Sequence, residues 1–148
     1  YRRPSPETAP CHAKAAGLYM ICTLSKHAAE SKGYADALML DWRGRVAEAT
    51  GANVFFVDNG VLHTPEPDCF LDGITRRTVM DLARARGLEI IERAIMPEEM
   101  ENFSECFITG TAAEVTPVSE IGPYKFTPGD ISINLLNDYL ALVGGDTA

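Results

Sequence analysis

The sequence predicts a mixed α+β domain, and three observations carry that prediction. Residues 35–64 show short β-branched and aromatic runs broken by turn signals at Trp42-Arg43-Gly44 and Asp58-Asn59-Gly60, the pattern of a β-meander. Residues 74–86 and the stretch around Ile131, Leu135 and Tyr139 repeat apolar residues at helical spacing. Strands and helices cluster rather than alternating regularly, which separates this pattern from a βαβ series.

Composition narrows the class further. A chain of 148 residues fits one compact domain, and 46% apolar with 23% charged residues is an ordinary globular balance. The net charge of −8 argues against nucleic acid or an anionic membrane surface as the main partner. No apolar run is long enough to span a bilayer. Cys11, Cys22, Cys69 and Cys106 are widely spaced and lack the closer patterns of a zinc site or a disulfide framework. They read as buried free thiols of a cytoplasmic protein with no structural metal.

The elements follow in chain order. Residues 1–10 hold Pro4, Pro6 and Pro10 and read as an extended linker, and with Tyr1 in place of Met they suggest a preceding domain. A helix is expected across residues 15–31, with Ala15, Leu18, Cys22, Ser25 and Ala29 as its buried stripe. Lys14 stands at or just before its start, where the helix dipole disfavours a cation by up to about 1 kcal/mol. Such a local inconsistency is expected at a functional site, although a surface lysine reads the same way.

Within the meander, Glu48-Ala49-Thr50-Gly51-Ala52-Asn53 sets a carboxylate at a small, Gly-containing bend, either a solvated turn or a group aimed at a ligand. After it, Asp68-Cys69-Phe70-Leu71-Asp72-Gly73 leads into a helix with Val79, Leu82 and Ala83 inward and Gly87 as its stop. The free N–H groups at Gly73, Ile74 and Thr75, with the Thr75 hydroxyl, form an anion-binding mouth. A strand at residues 88–93 precedes a short acidic helix opened by Pro97. Another strand at residues 105–109 ends at Gly110-Thr111, whose backbone N–H groups also suit an anion. A short strand is expected at Tyr124-Lys125-Phe126. Thr127-Pro128 is expected to cap a last helix with Ile131, Leu135, Tyr139 and Leu142 inward, ending at Gly144-Gly145.

One lysine in an unusual place, one carboxylate in a bend and two anion-receiving backbone ends define a constellation. A cofactor with an aldehyde, a basic ring nitrogen and a phosphate uses all of them. Lysine forms a Schiff base, a carboxylate keeps the ring nitrogen protonated, and a helix N-terminus takes the phosphate. An unrelated α+β binding module with a surface Lys14 remains the alternative from a different class.

Four stretches in order resemble the C-terminal, larger domain of the branched-chain aminotransferase family, the fold type IV pyridoxal-phosphate enzymes. They are Lys14-Ala15-Ala16-Gly17-Leu18-Tyr19, Glu48-Ala49-Thr50-Gly51-Ala52-Asn53-Val54-Phe55, Leu71-Asp72-Gly73-Ile74-Thr75-Arg76 and Gly110-Thr111-Ala112-Ala113-Glu114-Val115-Thr116-Pro117. The resemblance runs from about Arg3 to Leu142 and implies a β-meander or pseudo-barrel with flanking helices. It also implies a cofactor-binding domain over residues 11–148 whose smaller N-terminal partner domain is not part of these residues.

The resemblance implies that Lys14 holds pyridoxal 5′-phosphate covalently and shuttles the proton between the substrate Cα and the cofactor C4′. It gives Tyr19 to the ring hydroxyl, Glu48 to the pyridinium nitrogen and Leu71 to the ring face. Gly73, Ile74, Thr75 and Thr111 go to the phosphate, and the amides of Thr111 and Ala112 to the substrate carboxylate. Asn53 is expected to hold the bend, while Glu114, the cysteines, His12, His27 and His63 are structural. The implied activity is transamination between a branched-chain L-amino acid and 2-oxoglutarate in a homodimer or larger homo-oligomer. A D-amino-acid aminotransferase, an aminodeoxychorismate lyase and a catalytically incomplete fragment are the alternatives. Gly-Thr-Ala-Ala-Glu at residues 110–114 resembles the branched-chain group.

Overall fold

In the computed structural model, residues 1–144 are described. The central element is a five-stranded sheet built from β3 (Asn53–Asp58), β4 (Val61–Pro65), β5 (Ile90–Arg93), β6 (Glu105–Gly110) and β7 (Glu114–Pro117) in the order β5-β4-β3-β6-β7. β3 and β4 join through the two-residue loop Asn59-Gly60, both at positive φ (47° and 84°), which gives a turn twisted like the strands it connects. The β4–β5 pairing is parallel, so one βαβ unit sits inside a chain whose other ladders are antiparallel. Its crossover is α2 (Ile74–Ala85). Strand, helix and strand follow one another at residues 61–64, 74–86 and 88–93, the order that allows a parallel pairing, so this unit is the exception to the clustered pattern.

Strand alternation divides the core. From β3, Phe55 and Val57 point toward α2 and α3 (Asp130–Val143), where they meet Val79, Ala83 and Leu135. Phe55 stacks on Phe107 at 5.0 Å on that face. Val54 and Phe56 point the other way, into a second cluster with Val46, Ile95, Met100, Phe103 and Phe126. Because β3 is buried on both faces, its apolar run is nearly continuous.

The expected meander divides between sheets. β1 (Leu38–Leu40) and β2 (Val46–Ala49) form a separate antiparallel pair, tied to the end of β5 by Val46 N–H donating to Ile95 O at 2.8 Å. The bend after β2 is closed by Ala49 N–H to Ala52 O (2.8 Å), and the Thr50 hydroxyl donates to Asp36. A further pair, β8 (Glu120–Ile121) with β9 (Tyr124–Lys125), covers the lower cluster, and Pro97–Asn102 forms a 3-10 helix.

Two helix expectations need correction. The first helix is broken. A 3-10 turn at Ala16–Leu18 precedes α1 (Met20–Glu30), Ala15 lies outside both and is exposed, and Ala29 is half-buried. The small, glycine-containing stretch before Tyr19 does not hold an α-helical turn. The last helix is capped at Gly129 rather than at Thr127-Pro128, because the buried Glu105 carboxylate accepts from Gly129 N–H (3.0 Å) and Ser132 N–H (2.9 Å). A Cβ at Gly129 would lie 2.5 Å from Glu105 Oε1, so the approach requires glycine. Leu142 is 62% exposed rather than inward, and Gly145 lies outside the described residues. All four cysteines are buried free thiols. Among the described residues, no helix is long and apolar enough to cross a membrane.

Candidate active site

A cleft of about 330 Å³ opens at the junction of the bend before β3, the end of β6 and the start of α2. Lys14 and Tyr19 reach it from the segment before α1, Glu48 from β2, and Gly51, Ala52 and Asn53 from the bend. Leu71, Gly73, Ile74 and Thr75 form the wall at the α2 N-terminus, and Thr109, Gly110 and Thr111 form the opposite rim. Ala112 follows in the same turn, exposed, and does not line the cleft.

Glu48 is 7% exposed. Desolvation pushes its carboxyl up to about 8, against the pull of the Arg3 guanidinium, whose Nε lies 3.2 Å from Oε1. That N–H is not aligned as a hydrogen bond, so the contact is Coulombic. Arg3 Nη1 instead donates to Leu18 O (3.0 Å) and Cys22 Sγ (2.9 Å). Residues 1–10 thus supply a buried cation to the site, anchored by Arg3 N–H to Leu40 O at 2.8 Å. The Tyr19 phenol is raised by burial and then by the nearby Glu48, so it stays protonated and available as a donor. Lys14 lies at the mouth and is exposed.

Asn53 does more than hold its own bend. Its Nδ2 donates to Leu71 O (2.9 Å) and its Oδ1 accepts from Gly73 N–H (3.2 Å), so one carboxamide fixes the chain entering α2. Gly73 N–H is therefore already engaged rather than free, and Ile74 and Thr75 supply the open donors of the first turn. A Cβ at Gly73 would meet Asn53 Oδ1 at 2.5 Å. At the rim, a Cβ on Gly110 would come within 3.1 Å of Gly51 O, which closes the bend against β6.

Three contributors escaped the sequence reading. Arg3 lay in an expected linker, Thr109 looked like an ordinary strand end, and Arg77 lines the mouth from the exposed side of α2. The two arginines following Thr75 carried the signal for Arg77, whereas nothing local distinguishes Arg3 from Arg2.

The model of the amino-transferase class IV family matches residues 1–121. The chain belongs to the class IV aminotransferase family. A probable branched-chain-amino-acid aminotransferase of Rickettsia bellii is 45% identical over 149 residues, covering 98% of this chain and 52% of that protein. The branched-chain aminotransferase of Thermoproteus uzoniensis, solved with norvaline, superposes with a TM-score of 0.93 at 38% identity, covering 97% of this chain and 48% of that one. An aminotransferase from Brucella abortus, solved bound to the cofactor PLP, superposes with a TM-score of 0.91 at 34% identity, covering 98% of this chain and 52% of that one. The class IV chain described here thus spans about half the length of the relatives it matches.

Proposed function

We propose that this chain carries the pyridoxal-phosphate site of an aminotransferase working between a branched-chain L-amino acid and 2-oxoglutarate. One observation carries the reading: Lys14, Tyr19, Glu48 and the α2 N-terminus all face a single cleft. Support for the cofactor comes from the PLP bound in the Brucella abortus relative, and support for the substrate class from the branched-chain aminotransferases that the chain resembles. The residues present fit the group. A buried carboxyl pushed up to about 8 lacks a full complement of cations, and a ring nitrogen that binds a proton supplies one.

In this reading the bound cofactor supplies an electron-withdrawing ring that makes the substrate Cα–H acidic. Lys14 Nζ would hold the cofactor through its aldehyde carbon and would serve as the base that carries the proton from the substrate Cα to that carbon. The Tyr19 hydroxyl donates toward the ring oxygen, and Glu48 holds the proton on the ring nitrogen. Leu71 packs on the ring and excludes water. Ile74 and Thr75 N–H groups, with the Thr111 hydroxyl, take the phosphate at the positive end of α2, where Gly73 lets the chain turn in against Asn53. The Thr111 N–H at the rim, with the Ala112 N–H in the exposed turn beyond it, would orient the substrate carboxylate. The protein is further read as a cytoplasmic homo-oligomer, on the strength of the family resemblance.

The test is the absorption of the protein, expressed from its complete reading frame, with pyridoxal phosphate, followed by borohydride reduction and peptide mapping. A protein-dependent band with the reduced adduct on Lys14 is expected, and Lys14→Ala removes both. Amino-group transfer from L-leucine, L-isoleucine or L-valine to 2-oxoglutarate then fixes the activity. Transfer only from D-amino acids, or lyase chemistry, refutes the substrate class.

A further inference from the structure

Thr109 is 1% exposed, and its hydroxyl is buried with no hydrogen-bond partner. Buried hydroxyls are normally satisfied, and valine has nearly the same shape without the unmet group. Thr109 lines the cleft, and its place in the sheet says which part. Alternation along β6 sets Thr109 on the face of Phe107, the face that α2 and α3 cover. Across the ladder it stands opposite Asn53, whose carboxamide holds the entry to α2. The hydroxyl therefore sits at the end of the sheet where α2 begins.

Two unmet demands meet there. The first-turn N–H groups of α2 need an acceptor, and the Thr109 hydroxyl is free to donate. A phosphate monoester, doubly charged or nearly so at neutral pH and carrying three acceptor oxygens, answers both. We propose that Thr109 is an additional binding residue of the cleft, its hydroxyl donating to an oxygen of the phosphate monoester held at the α2 N-terminus. The inference rests on the pyridoxal-phosphate reading above and adds to it a residue on the sheet side of the phosphate.

The test compares wild type, Thr109→Val and Thr109→Ser in the protein expressed from its complete reading frame. Three quantities are measured: affinity for pyridoxal phosphate, affinity for pyridoxal, which lacks the phosphate, and the Tm of the cofactor-free form. Thr109→Val should bind pyridoxal phosphate about tenfold more weakly, the order of one hydrogen bond to a charged group. Its affinity for pyridoxal should be unchanged and its cofactor-free Tm equal or higher, with Thr109→Ser close to wild type throughout. Unchanged affinity for pyridoxal phosphate in Thr109→Val overturns the proposal. So does a parallel loss for both compounds, or a fall in cofactor-free Tm, which would assign the hydroxyl to the fold. A wild type that binds neither compound refutes the cofactor reading itself and the role of Thr109 with it.

Discussion

Arg3 and Glu48 form a buried pair, Nε to Oε1 at 3.2 Å, with side chains 2% and 9% exposed. The pair joins the first residues of the chain to the carboxylate at the centre of the cleft. Its electrostatics are unbalanced, because burial raises the Glu48 carboxyl more than Arg3 lowers it.

Cofactor-free stability should therefore carry a Glu48 signature in pH. The folded-state value of about 8 lies above the ordinary 4.5, so the group's contribution is fully present below about pH 4.5 and is lost as pH rises through about 8. The span corresponds to a loss on the order of 5 kcal/mol. Urea unfolding at a series of pH values should show this decline in wild type and its disappearance in Glu48→Gln. Parallel curves for the two proteins would remove Glu48 as the cause.

Replacing Arg3 tests the other partner. Arg3→Met deletes the cation beside Glu48 and the donor to Leu18 O and Cys22 Sγ. A loss of about 2 kcal/mol is expected, with the Glu48-dependent decline in stability displaced to higher pH. Arg3→Lys should keep the midpoint of that decline near wild type while losing the forked contacts to Leu18 and α1. Identical pH profiles for Arg3→Met and wild type would show that the guanidinium does not tune the carboxylate.

At the α2 entry, Gly73→Ala should act through Asn53. The new Cβ would lie 2.5 Å from Asn53 Oδ1, so the carboxamide must leave its contacts with Leu71 O and Gly73 N–H. About 2 kcal/mol of stability should go, along with affinity for pyridoxal phosphate. Asn53→Ala should reproduce most of the loss, and the double variant should fall well short of the sum of the singles. Additive free energies in that cycle would place the two effects on separate causes.

Glu105 offers a contrast at the opposite end of β6. Glu105→Ala removes the acceptor for two N–H groups at the start of α3 and should cost about 1–2 kcal/mol. Because the cleft lies at the other end of the strand, cofactor affinity should not change. A weakened affinity in Glu105→Ala would mean that α3 and the site are energetically coupled.

The sequence made the strands legible wherever a turn stated its own chemistry, as at Asn59-Gly60, and the helices wherever one face was apolar, as in α2. Lys14, Tyr19, Glu48 and the α2 start were found as separate local anomalies or as pieces of a resemblance, and the structure brings them to one cleft. What escaped was long-range. Arg3 meets Glu48, and Asn53 meets Gly73 across 20 positions of chain. Neither contact leaves a periodic trace. Thr109 escaped for the opposite reason, since a threonine in a strand is ordinary until its hydroxyl is found with no partner.

The parallel pairing of β4 with β5 has a consequence for the order in which the molecule assembles. The β3–β4 hairpin closes over two residues and can form on the microsecond scale. β5 cannot dock until the chain has travelled through residues 66–89 and α2 has folded back on the sheet. The wall that ends in Gly73, Ile74 and Thr75 is the leading edge of that return, so the cleft is among the last features to take shape. On refolding, the strands should recover before the capacity to hold an anion does. A nascent chain would then pass through a stage with much of its sheet in place and its ligand still unable to stabilise it.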